Sequence, residues 1–289
     1  MQQGRTPSGK PSQTGWSELF PKWDLHQPAQ FRAVTRNLVI AHDLTSQHFP
    51  QAYKEGKVWH EKEHEGIRRS LRGAAGKGLT EWHGAGIAAA VSAGSDWEGE
   101  NVHALSHALK MPKKHWDMIM RAHAQGHKKK TSDIQDFLRG GPLESVTLAN
   151  LHRAGQIREG RHPLEIINPK TSPKEYYFTH SLAEPDKPHP ATIDFRAHDI
   201  AINRMYPALY SGRGVQSAHA ATGVATRYEK FTHGYEAAGH MRDIELPHQM
   251  QAITWLGGKK IETLPPTARG HPRQKGVARR GQPYFHQGG

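Results

Sequence analysis

Three groups of residues in this chain have the types and spacing that chemistry needs. His60-Glu61-Lys62-Glu63-His64 satisfies the pattern H-E-x-x-H. On a helix the two histidines share one face and could hold zinc, with Glu61 polarising a bound water. No third histidine extends the pattern, and the surrounding helix is densely charged, whereas a catalytic motif helix sits buried across a cleft. The pairs His103/His107 and His123/His127 also stand at i,i+4, a metal-compatible spacing. With 22 histidines in 289 residues, such pairs arise by accident, so neither a metal nor a cofactor is expected. The third group is Thr192-Ile193-Asp194-Phe195-Arg196-Ala197-His198, which places a carboxylate at the start of an amphipathic helix. An Asp in that position is either an ordinary helix cap or a carboxylate held for chemistry.

The elements that must position these groups read as helices. Phe31, Val34, Leu38 and Ile40 recur at roughly helical spacing within 28–44, and Tyr53, Val58, Trp59, Ile67 and Leu71 do so within 51–71. Residues 84–92 are small and apolar, which predicts a helix packed tightly inside a bundle. Asp96 is a plausible N-cap for a helix over 96–109, with Glu98 and Glu100 in its first turn. Pro112 opens the next helix, to Ala124, at its favoured first position. Shorter helices are expected at 133–138, 143–154 and 173–182, and longer ones at 193–205, 218–238 and 247–256. Few segments alternate as strands do, and no internal repeat is visible. The fold class expected is all-α.

Composition limits the function classes. The absence of cysteine excludes disulfides, iron–sulfur clusters, Cys-type zinc fingers and a cysteine nucleophile. No apolar run approaches a membrane span and no signal core is present, so a soluble, cytoplasmic protein is expected. A formal charge of +12 favours a polyanionic partner, DNA before membrane. The ends differ from the middle: 1–23 reads as a disordered arm, 24–260 as one helical domain, and 261–289 as a basic, disordered tail. Arg269, Arg273, Lys275, Arg279 and Arg280 stand in that tail without an acid from Leu264 onward. They suit phosphate contacts or simple solvation.

Asn168-Pro169-Lys170-Thr171-Ser172-Pro173-Lys174 is a turn that starts a helix, and a loop then leads to Asp194. This order resembles the helix-hairpin-helix DNA glycosylase superfamily, the endonuclease III-like proteins. There a hairpin and helix precede a V-D-x-H-V-x-R-type segment with a catalytic Asp. The family's hairpin is Gly-rich, while the turn here has Asn168, Pro169 and Pro173 instead. Four blocks are also similar to a set of uncharacterised actinobacteriophage proteins that look like remote relatives of that superfamily. They are Gly56 to His64, Ala85 to Asn101, Thr192 to Ala197, and Met250 to Trp255. In that comparison Trp59 and His60 read as a packing or pocket pair rather than as part of a zinc motif.

The resemblance implies a glycosylase-like helical domain acting on a nucleobase N-glycosidic bond, in repair or base hypermodification. Asp194 would stabilise an oxocarbenium-like sugar or activate water. Lys174 would be the amine for an imine-type intermediate. Lys170, Arg196 and His198 would contact DNA, and Trp59, Trp97, Tyr176, Tyr177 and Trp255 would wall a pocket for a flipped base. Two other readings stay open: a non-catalytic DNA-binding or virion-associated platform, and a zinc hydrolase built on His60, Glu61 and His64.

Overall fold

The computed structural model describes residues 25–92, 100–202, 225–261 and 263–264. Trp97, Asp96 and the tail cations Arg269, Arg273, Lys275, Arg279 and Arg280 lie outside the described residues. Thirteen α-helices are described, with a 3-10 turn at Ala74–Gly76 and no strand among the described residues. In chain order they are α1 Pro28–His48, α2 Pro50–Lys57, α3 Trp59–Leu71, α4 Glu81–Val91, α5 Glu100–Lys110, α6 Lys113–Ala124 and α7 Ser132–Leu138. There follow α8 Leu148–Arg158, α9 Pro163–Ile166, α10 Pro173–Ala183, α11 Phe195–Ile202, α12 Ala225–His240 and α13 Pro247–Ile261. The fold class is all-α.

Two apolar cores meet at α13. The larger gathers residues from α2 through α10 and takes Ala252, Trp255 and Leu256 from α13. The other joins α1, α11 and α12 with Met250, Ile253 and Ile261 from α13. Every residue of α13 from Gln251 to Gly258 is consequently buried. A helix covered on all sides needs close neighbours, and its glycines mark where they come. A Cβ at Gly257 would lie 1.7 Å from Thr45 Oγ1 of α1. At Gly56 of α2 a Cβ would meet the backbone of Ile253, 2.5 Å from its Cα. Small residues here set the interhelical distance, so the packing density of a protein interior is reached by backbone approach.

The small apolar helix expected at 84–92 is α4, in which Gly84 to Val91 are all buried. Several boundaries differ from the sequence expectation; α1 runs on to His48 and α13 to Ile261, past the ends expected at 44 and 256. The helix expected over 51–71 breaks at Val58, whose φ of −121° and ψ of 14° leave the helical region. That bend lets Gly56 rest on α13 while Trp59 and His60 enter the larger core. The helix expected from 143 begins at Leu148, because the Thr147 side chain accepts the Asn150 N–H at 3.2 Å and caps it there. The one-turn helix α9 comes from Pro163 and its neighbours, too short to show a period in the sequence.

Candidate functional site

Asp194 precedes α11 and is 6% exposed. Its Oδ1 accepts the Ala197 N–H at 2.7 Å, and its Oδ2 accepts the Trp255 indole N–H of α13 at 3.0 Å. The guanidinium of Arg196 lies 4.6 Å from the Trp255 ring, a cation–π contact. Sequence neighbours Asp194 and Arg196 thus grip one indole from two sides.

Two tyrosines of α12 fix the backbone around this carboxylate. Tyr228 Oη accepts the Ile193 N–H at 2.6 Å, and the Tyr235 hydroxyl donates to the Ala197 carbonyl at 2.9 Å. Asn37 of α1 adds a third tie, its side-chain amide donating to Ala201 O at 3.0 Å. Burial pushes the Tyr228 hydroxyl far above its ordinary range, with the neighbouring carboxylates of Glu175 and Asp194 acting in the same direction. Glu175, on the first turn of α10, is itself buried. Tyr177 stacks on Tyr228 at 5.6 Å. The corner therefore joins two buried carboxylates to three tyrosines and a tryptophan, and two hydrogen bonds orient that of Asp194.

The other expected residues fall in several places. Lys174 is half-buried on the first turn of α10, and among the described contacts none joins it to Asp194. His198 is buried against Phe231, ring centroids 4.9 Å apart, with its Nδ1 3.4 Å from Asp199. It faces the core. Trp59 stacks on Phe178 at 6.1 Å in the larger core. Tyr176 turns its edge to Tyr177 and lies 4.7 Å from the His180 ring. Of the expected pocket aromatics, Trp255 and Tyr177 border the Asp194 corner, while Trp59 and Tyr176 pack against the larger core.

The turn before α10 is satisfied from within. Asn168 accepts the Lys170 N–H through its side chain at 2.8 Å, and its carbonyl accepts the N–H groups of Thr171 and Ser172. A glycine-rich hairpin offers such N–H groups to phosphate; here Asn168 holds them. The helix ahead of the turn is the single turn α9.

The H-E-x-x-H residues diverge. His64 donates from Nδ1 to Leu182 O at 2.8 Å and sets Nε2 3.4 Å from Glu81, which also pairs with Arg68. His60 turns inward, its ring 4.6 Å from His248 and 4.8 Å from Trp59, with both nitrogens buried and without hydrogen-bond partners. His248 donates from Nε2 to Pro185 O at 3.0 Å. Burial depresses the basicity of both rings, His248 to about 4. Gln251, one turn along α13, is fully buried and neither end of its amide has a hydrogen-bond partner. His248, Gln251 and Trp255 stand at i, i+3 and i+7, so a polar seam runs down one face of α13 from the histidines to Asp194. Sequence reasoning missed Gln251, Tyr228 and Tyr235, since each reads as an ordinary helix residue. The one signal was the regular spacing of polar residues on the otherwise apolar α13.

An all-α protein with a buried carboxylate–aromatic corner is the class that fold and site define. A family model described as a family of unknown function, DUF7178, matches residues 23–260. The chain belongs to that family. Neither a curated protein nor a solved structure matches it. No described helix is long and apolar enough to cross a membrane.

Proposed function

We propose that this protein acts on DNA and that Asp194 is the centre of a glycosylase-like chemistry on a nucleobase N-glycosidic bond. The observation that supports the reading is the carboxylate itself, set at the start of α11 by the Ala197 N–H and the Trp255 indole. A carboxylate held in a fixed orientation can stabilise positive charge at a sugar C1′ once a substrate reaches it. The net charge of +12 supplies the attraction for a polyanion. Exposed Lys113, Lys114, Lys128 and Lys129 add to the cations expected from the sequence. A flipped base would have to enter beside Trp255 and Tyr177, displacing part of the cover over Asp194.

A second reading, a DNA-binding platform without catalysis, is favoured by one observation: both Asp194 oxygens already accept structural donors, and the residue is buried. The zinc-hydrolase reading finds less support, because His60 and His64 face different neighbours.

Mass spectrometry of free bases released from phage and bacterial DNA, by wild type and by Asp194→Asn, separates the readings. Base release that requires Asp194 supports the enzyme. Salt-sensitive binding by both proteins without release, weakened by deleting 264–289, leaves the platform.

A further inference from the structure

At the end of α10 and in the loop that leads to Asp194 lies a second constellation, unrelated to the H-E-x-x-H pattern. His180 stands in the last turn of α10, Glu184 is its C-cap residue, and His189 follows in the loop. One ligand atom from each lies within 4.8 Å of those of the other two. It is the one group of three such side chains among the described residues. We propose that His180, Glu184 and His189 form a binding site for a divalent first-row metal ion, with zinc the ion it fits best.

Several features of the chemistry agree. Two imidazoles and a carboxylate are a common protein ligand set for zinc, and three protein ligands leave one position for water or another group. Ligand atoms around a tetrahedral zinc sit roughly 3.3 Å apart, so small side-chain rotations close the set. Glu184 Oε2 is already 3.5 Å from His189 Nε2. Among the described residues His180 Nδ1 has no hydrogen-bond partner, although the atom is buried. An imidazole nitrogen buried in that way loses water without gaining a donor or acceptor, a cost that a metal ion would remove.

The surroundings orient the ligands. Lys187 donates to Glu184 Oε1 at 2.5 Å, which leaves Oε2 toward the histidines. The His180 ring is flanked by Trp82 at 5.1 Å and by Tyr176 at 4.7 Å. His248 holds Pro185 O, within the same loop. The loop runs on to Asp194, so an ion here would fix the approach to that carboxylate, whichever reaction takes place there.

The test uses the full chain, stripped with a chelator and titrated with ZnCl2 by calorimetry, then with CoCl2 by visible absorption. One zinc per chain is expected, with a cobalt spectrum of tetrahedral type. His180→Ala and His189→Ala should each weaken zinc at least about tenfold, and Glu184→Gln by less. The paired substitution His123→Ala/His127→Ala should leave the affinity unchanged. Thermal melts of each variant without metal establish that it folds, and His189→Gln replaces any that does not. Absence of stoichiometric zinc binding by the wild type overturns the proposal. So does tight binding that survives loss of both His180 and His189, or that is lost on His60→Ala/His64→Ala. None of these readouts depends on DNA, so the site stands or falls apart from the proposed activity.

Discussion

The indole N–H of Trp255 donates to Oδ2 of Asp194 at 3.0 Å across 61 residues of sequence. This bond ties the start of α11 to the middle of the central helix, and so joins the two cores through one polar contact. Trp255→Phe deletes the donor and removes one ring of the buried indole, leaving a carboxylate oxygen short of a partner beside a small void. The expected loss is about 1–3 kcal/mol of unfolding free energy in urea. An unchanged urea midpoint would show that the bond contributes nothing.

Close approach of α2 to α13 makes Gly56 the more demanding position in the packing. Gly56→Ala forces a methyl onto the Ile253 backbone, which cannot rotate away. A loss of about 1–3 kcal/mol or more is expected. Gly73→Ala, where a Cβ meets nothing within 4 Å, should change stability by no more than about 0.5 kcal/mol. Equal melting temperatures for the two variants would contradict the packing argument.

Glu63 gives the protein a pH dependence of unusual sign. Burial alone pushes its carboxyl from 4.5 up to about 7. In the unfolded chain it ionises near 4.5, so between those values the folded state binds more protons. Stability therefore falls as pH rises through that window and levels off above it, by roughly 3 kcal/mol at most. Buried His60, held well below 6.5, acts oppositely: the unfolded chain takes up its proton first, and stability falls as pH drops below 6.5. Urea midpoints between pH 4.5 and 8 should fall less on the alkaline side for Glu63→Gln than for wild type. Parallel profiles would show that Glu63 stays ionised in the fold.

Arg242, just beyond α12, reaches back to α1 and forms a two-pronged pair with Asp43, Nε to Oδ1 and Nη2 to Oδ2, each at 2.6 Å. The guanidinium holds the Asp43 carboxyl below its ordinary value. Both side chains are about one-third exposed, so solvent and salt screen the pair. A double-mutant cycle with Asp43→Asn and Arg242→Gln should give a coupling of about 0.5–1 kcal/mol that shrinks in 1 M NaCl. A coupling insensitive to salt would mean that packing, not charge, joins the two residues.

The helical fold class is legible in the sequence because burial on one face imposes a 3.6-residue period, as Val34 and Leu38 show in α1. Asp194 is legible as a helix start for the same local reason: a short acidic side chain can reach the N–H three residues on, and it does so at Ala197. Local rules also place Pro173 as the first residue of α10, whereas Pro112, expected as the first residue of α6, is its N-cap. They fail at Val58, where the break serves a contact between Gly56 and Ile253, almost two hundred residues away. Partners at such distances leave no periodic trace. Nothing in the spacing of His180, Glu184 and His189 marks them as a set, since only the turn out of α10 folds the third ligand back on the first two. His60 and His64 err in the other direction: their spacing is that of a metal pair, yet α13 draws His60 to His248 while Leu182 takes His64. Sequence alone determined which segments coil and where charge lies, because those follow from each residue's own backbone and side chain. Which polar groups meet inside was decided by how the helices pack, a property of the whole chain's effort to exclude water from two cores at once.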